Sequence, residues 1–270
     1  MKVQKIVKLL FGLLSRGLEK YLDHEIVPGT TLENHRQILQ MLIPVNNNVE
    51  LIRIGGSTDG GYLLPDDLSG IHLCISPGVA DTWKFEKELL SKYQIKSLMI
   101  DASIETPNLQ DGLNFLKLWL GPSNNETTLS MNSIITSQLG LGNQELLLQM
   151  DIEGAEYASL MSTDIELLSK FRIAVIEFHD LEMWKINSYY SKVVFPLFTK
   201  LKEIFDVVHL HPNNGGLNFI WHGIKHPSGI EVTFHRKDRA NGYSGNRHLP
   251  NKLDSLSSKN HPDIPFPIDI

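Results

Sequence analysis

A three-residue turn, Ser76-Pro77-Gly78, set between two short apolar runs constrains this chain more than any other feature. Residues 71–75 make the first run, and a helical periodicity follows over residues 82–93, carried by Trp83, Phe85, Leu89 and Leu90. Residues 96–100 make the second run, which ends on Asp101. Strand, glycine turn, helix, strand, acid is the opening of a βαβ unit, because parallel neighbours need a crossover long enough to hold a helix. The alternation continues with a strand at 115–120, a helix at 130–139 and a buried strand at 146–150 that ends on Asp151. A strand at 172–178 ending on His179-Asp180 and a long helix at 189–205 follow, then strand candidates at 206–210, 217–221 and 230–234. This order predicts an α/β fold with a mainly parallel sheet and an antiparallel closing strand.

The chain is long enough at 270 residues for one large domain with appendages. A helical extension is expected over residues 1–45, the α/β domain over 46–236, and a polar tail rich in Asn, Ser and Pro over 237–270, which wraps the surface or orders on binding. A net charge of −6 gives no overall positive field for a nucleic-acid backbone, so a nucleic-acid partner is disfavoured. The single cysteine, Cys74, excludes an intrachain disulfide and fits a reducing compartment, hence a cytoplasmic location.

Lys2, Lys5 and Lys8 precede the apolar residues Leu9 to Leu14 in the manner of a targeting segment. That run is too short to span a membrane, and Arg16 and Lys20 follow it without a small-residue cleavage pattern. Ile6, Leu9, Leu10, Leu13, Leu14 and Leu18 recur at helical spacing instead. Such a helix packs on its own domain or on a second copy in a homo-oligomer; peripheral contact with a membrane surface is the other role open to it.

In open α/β sheets, ligands lie outside the carboxyl ends of the strands. The residues at those ends are Ser76 and Gly78, Asp101, Asp151, and His179 with Asp180. Gly78 allows close backbone approach, and Asp101 is placed to accept hydrogen bonds from ribose hydroxyls, a reading its place after a strand favours over merely capping the segment after it. The turn lacks G-x-G-x-x-G spacing, which argues against a dinucleotide cofactor. Asp59-Gly60-Gly61-Tyr62 suits either a plain hairpin or close approach to a ligand in the same cleft. His209 and His211 alternate along one strand and so share a face, as metal ligands or as the rim of a pocket, with the short amides of Asn213 and Asn214 beside them for binding hydroxyls. Gly215-Gly216 reads as a hairpin turn.

The string Leu148-Gln149-Met150-Asp151-Ile152-Glu153-Gly154-Ala155-Glu156 resembles the core motif of the FkbM-type methyltransferases, which modify hydroxyls of sugars and natural products. Ser76 to Val79 together with Phe85-Glu86 is similar to that family's first nucleotide-binding turn and helix. Asp59 to Tyr62, Ile176 to His179, His209 to Asn214 and Ile230 to Thr233 are similar to features of its surface-polysaccharide branch, so the resemblance runs from about Arg53 to Arg236. It implies a Rossmann-like class I methyltransferase fold and an S-adenosylmethionine-dependent O-methyltransferase acting on a sugar, nucleotide-linked or in a polysaccharide. It also places the donor against Asp59, Gly60, Gly61, Tyr62, Ser76, Gly78, Glu86 and Asp101, and Glu153 near the acceptor.

A sugar hydroxyl is a poor nucleophile until it loses its proton. Two devices could remove it: His179 as general base, or Mg²⁺ or Mn²⁺ held by Asp151, His179 and one of the His209/His211 pair, His211 in the favoured set. The rival functions are a nucleotide-sugar epimerase or dehydrogenase, disfavoured by the missing fingerprint, and a non-catalytic binding subunit, disfavoured by Asp101, Asp151 and His179.

Overall fold

The computed structural model describes residues 28–57, 59–80, 82–139 and 144–267. The amphipathic N-terminal segment singled out above lies outside them. A helix, α1 (Leu32–Leu42), opens the described chain; the Thr31 side chain caps it by accepting from Asn34 N at 3.1 Å. A hairpin follows, β1 (Leu51–Ile54) and β2 (Tyr62–Pro65). The first βαβ unit is β3 (Leu73–Pro77), α2 (Lys84–Tyr93) and β4 (Lys96–Ile100).

After β5 (Leu113–Leu116), two short strands, β6 (Trp119–Gly121) and β7 (Thr128–Ser130), pair apart from the main sheet. The single strand expected at 115–120 is therefore two elements on different sheets, a break that an apolar run cannot display. Helix α3 (Met131–Gln138) is capped by the Ser130 side chain and leads towards β8 (Leu146–Met150). Two short helices, α4 (Glu156–Ser162) and α5 (Ile165–Leu168), precede β9 (Phe171–Phe178).

The long helix expected at 189–205 is composite. One α turn at Asn187–Tyr189 passes through a π turn, Tyr190–Val194, into α6 (Phe195–Ile204). Pro196, which has no N–H to donate, sits at the start of α6, just where the hydrogen-bond pattern changes. The last strands are β10 (Phe205–Pro212), β11 (Asn218–Trp221), β12 (Ile224–Pro227) and β13 (Ile230–Arg236).

Seven strands form the main sheet in the order β10-β13-β9-β8-β3-β4-β5. All neighbours among β9, β8, β3, β4 and β5 are parallel, while β13 runs antiparallel between β9 and β10. This is the Rossmann-like α/β sheet with an antiparallel closing strand that the sequence order predicts. Residues 215–216 turn the chain between β10 and β11, which do not pair with each other; β11 pairs with β12 instead.

Helices cover one face and α2 with the hairpin covers the other, so the central strands are buried on both sides and read as unbroken apolar runs. On one face Leu148, Ala174 and Ile176 pack against Leu39 and Leu42 of α1 and Phe198 and Leu201 of α6. On the other, Cys74, Leu147, Ile173 and Val175 pack against Phe85 and Leu89 of α2 and Ile54, Tyr62 and Leu64 of the hairpin. The tail does not stand off: Tyr243 donates to Asp206, Arg247 to Val49 O, and Ile264 and Phe266 are buried. No helix among the described residues is long and apolar enough to cross a membrane.

Candidate functional site

Strand parity decides which side chains meet. Leu147 faces the hairpin, so Gln149 and Asp151, two and four residues on, face the same way, as do Val175 and Glu177 of β9. Beyond β9 the pairing Glu177 with Glu231 and Glu231 with His211 extends a polar row across β13 to β10. The hairpin side of the sheet thus turns from apolar to acidic at the carboxyl ends of its strands.

A small cavity of about 70 Å³ opens there, lined by Asp59, Gly60, Tyr62, Gly78, Val79, Ala80, Thr82, Lys84, Phe85, Glu86, Gln149 and Asp151. Gly78 has a φ of +84°, and a Cβ at this position would collide with the Asp151 carbonyl oxygen, so the first glycine turn lies directly on the strand end that carries Asp151. Gly61 belongs to a loop closed on itself, where a Cβ would strike the Gly56 carbonyl, and it does not line the cavity. Ser76 and Glu86 are buried beneath the turn and bonded to each other, with Ser76 Oγ also 2.6 Å from Gln149 Oε1 and Gln149 Nε2 donating to Tyr62 at 3.2 Å. Burial raises the Glu86 carboxyl. Asp101 stands at the next strand end outside that lining, accepting from Ala80 N at 2.9 Å and from Ser103 N at 2.7 Å. It thereby fixes the turn in which Ala80 takes a φ of +47°. A larger cavity, about 1030 Å³, lies at the opposite end of the sheet beside His72, Lys96, Glu145 and Arg236, where strands begin. The strand-end rule points away from it.

Beside the small cavity, His179 follows β9 with its ring among carboxylates. Nε2 lies 3.6 Å from Asp151 Oδ1, 3.6 Å from Glu177 Oε1 and 3.9 Å from Glu153 Oε2. Nδ1 meets Glu156 Oε1 at 3.1 Å. Glu156 is fully buried and also accepts from the backbone N–H groups of Ile152 and Gly154, so the Asp151 to Glu156 loop is wound around its carboxylate. Tyr157 donates to the His179 carbonyl at 2.9 Å and accepts from Trp184 Nε1, which fixes the backbone under the ring. Burial lowers the imidazole pKa, but the Glu156 hydrogen bond and the charges of Glu177, Glu156 and Asp151 outweigh it and carry it up to about 10. Burial first and Glu177 second push Asp151 well above the usual carboxylate range, and burial raises Glu177 and Glu231 as well. Held protonated by these carboxylates, the ring has no free nitrogen to act as a base until Nε2 gives up its proton.

Of the remaining residues singled out from the sequence, Asn213 alone touches this group. His211 is not brought to His179: β13 inserts between β9 and β10, so His211 stands two strand spacings, about 10 Å, from Glu177. His209 Nε2 is 2.8 Å from Asp254 of the tail, and both histidines are buried. Asn214 donates to the carbonyls of Ser258 and His261 and accepts from Ser258 N, fastening the tail. Asn213 donates to Glu177 Oε1 and accepts from Gly215 N at 2.7 Å.

Glu177 itself was assigned no role from the sequence, although a signal was available. A glutamate two residues before a strand-end histidine, after the apolar run Ile173 to Ile176, occupies the same face as that histidine.

Residues 122–211 match the sequence model described as Methyltransferase FkbM domain, the family whose motifs the chain resembles. No curated protein matches the chain. Among solved structures, the crystal structure of a fibrillarin/Nop5p complex aligns with 62% of this chain and 73% of its own at 12% identity and a TM-score of 0.34. The family match supports a methyltransferase, and with it use of S-adenosylmethionine.

Proposed function

We propose, on the premise of that FkbM-domain match, that the chain is an S-adenosylmethionine-dependent O-methyltransferase acting on a hydroxyl of a sugar, nucleotide-linked or in a polysaccharide, in the cytoplasm. The observation that carries this reading is the contact of the Gly78 turn with Asp151, which sets a small cavity, with room for part of the donor, directly against the acid–histidine group. The lining fits the donor's chemistry: glycine backbone, Val79, Phe85 and Tyr62 offer close and apolar surface, and Asp59 and Asp151 offer carboxyl groups as polar partners. When bound, S-adenosylmethionine supplies a methyl group on a positively charged sulfur.

The chain's own residues do the rest. Asp101 holds Ala80 and Ser103, and so the shape of the donor turn. Asp151 and His179 present polar atoms where the acceptor oxygen has to stand for an in-line displacement. Glu156 holds the His179 ring, and Glu153, whose side chain is 57% exposed, is placed to pass a proton to water. The net charge of −6 favours a neutral or sugar-like acceptor over a nucleic acid.

The test is incubation with labelled methyl donor and a panel of nucleotide-linked sugars, with mass spectrometry for the gain of one methyl group. Calorimetry against the donor alone runs beside it. Absence of donor binding overturns the reading, and donor binding with methyl transfer only to nitrogen acceptors overturns its O-methylation part.

A further inference from the structure

We propose that Asp151, Glu177 and His179 form a binding site for a divalent cation of the Mn²⁺ or Mg²⁺ kind, with Asn213 positioning Glu177. Its catalytic role, holding the acceptor hydroxyl, rests on the methyltransferase reading; the site itself does not. One ligand atom from each of the three residues lies within 4.8 Å of the others. The separations of 3.6 Å from His179 Nε2 to Asp151 and to Glu177 are too long for direct hydrogen bonds. A cation about 2.1 Å from each atom draws adjacent ligands to about 3 Å apart, so the two 3.6 Å separations would close by roughly half an ångström.

Three further features favour a ligand over a group of ion pairs. Glu177 is only 2% exposed, and its Oε2 is buried without a hydrogen-bond partner while Asn213 fastens Oε1. A buried carboxylate oxygen left in that state is unfavourable unless a charge meets it. His179 Nδ1 is tied to the buried Glu156 carboxylate, and a carboxylate on one ring nitrogen directs the other at a metal. The donors are two carboxylates and one imidazole with no thiol, which suits Mn²⁺ or Mg²⁺. Asp151 and His179 keep part of their surface open, so an acceptor can complete the coordination. Glu177 thereby takes the place that the sequence assigned to His211, which β13 holds away.

In the methyltransferase the acceptor hydroxyl oxygen would be a further ligand, and its acidity would rise. Its proton goes to the Glu153 carboxylate and on to water. The oxygen's electron pair forms the new bond to the methyl carbon, and the pair of the breaking C–S bond remains on sulfur, leaving a neutral thioether.

The test uses the full-length chain stripped with chelator and then titrated with Mn²⁺, free Mn²⁺ being read by electron paramagnetic resonance with neither donor nor acceptor present. One Mn²⁺ per chain is expected, with affinity at least tenfold weaker in Glu177→Gln and in Asp151→Asn. Asn213→Ala should weaken Mn²⁺ several-fold in a variant that circular dichroism shows to be folded. Circular dichroism identifies any variant that fails to fold, and nitrogen coupling to bound Mn²⁺ in the wild type, lost in His179→Gln, reports the imidazole without relying on the acidic variants. No Mn²⁺ bound at millimolar concentration, or binding that Glu177→Gln leaves unchanged, overturns the site. Methyl transfer at full rate in chelator overturns its catalytic role, whereas Mn²⁺ binding without any donor binding leaves the site standing and refutes the methyltransferase reading instead.

Discussion

Lowering the pH from about 8 to about 5 should weaken the fold through two histidines that are not part of the acidic group. His35 of α1 is fully buried, stacked on Trp221 with ring centroids 3.7 Å apart, and its Nε2 lies 3.1 Å from His226 Nε2 of β12. Burial, then His226, His222 and Arg36, bring His35 down to about 3, and burial brings His226 down to about 4. Both are neutral in the fold at pH 5 and protonated in the unfolded chain, whose histidines titrate near 6.5. With the folded pKa lowered, the unfolded state binds more protons below 6.5, so stability is lost as the pH falls through that value. At pH 5 the loss is set by the unfolded pKa, about 1.5 units above, and amounts to about 2 kcal/mol per histidine. His179, raised to about 10, acts with the opposite sign: its contribution is fully present below 6.5 and lost as the pH rises through 10. The assay therefore compares denaturant unfolding of wild type and His226→Gln at both pH values, because His179 is common to the two. The variant should lose about 2 kcal/mol less than wild type over the interval. An equal loss in both proteins refutes the reasoning.

Three other outcomes follow from the site. Gly78→Ala forces a side chain into a φ of +84° against the Asp151 carbonyl, so denaturant unfolding should show a loss of more than about 2 kcal/mol; a variant as stable as wild type contradicts the packing. Asp101→Ala releases Ala80 and Ser103, and donor affinity by calorimetry should fall at least tenfold, while unchanged affinity leaves Asp101 holding only the turn. Glu156→Gln removes the charge around which Ile152, Gly154 and His179 are arranged, about 1.5–3 kcal/mol per bond to a charged group; kcat should fall with the KM for donor nearly constant, and a normal kcat refutes the positioning role.

The parallel core was legible because its strands are buried on both faces and end on chemically distinctive residues, as at Leu146–Met150 before Asp151. The hairpin at Leu51–Ile54 and Tyr62–Pro65 was only half visible: its glycines announced turns, but its packing across the sheet depends on Leu64, Phe85 and Val175 meeting in space. The break after Leu116 and the π turn before Phe195 leave no mark in apolar periodicity, since neither changes which residues are hydrophobic.

The error over His211 shows what a sequence cannot carry about a site of this kind. Parity along one strand is local, and it placed His209 and His211 on a shared face correctly. Which strand becomes the neighbour of β9 is decided by where β13 inserts, some twenty residues further along the chain, and that insertion puts Glu231 beside Glu177 and leaves His211 beyond it. The same topology leaves the buried Oε2 of Glu177 without a hydrogen-bond partner, while Oε1 accepts from Asn213 and lies 3.6 Å from His179 Nε2. A residue's chemistry can be read from its type and its strand, whereas its company is fixed by strand order. Glu177 and His179, two apart on one strand, needed no topology to be joined; Asp151 joins them because β8 and β9 are parallel neighbours in register, which the βαβ rhythm had already implied.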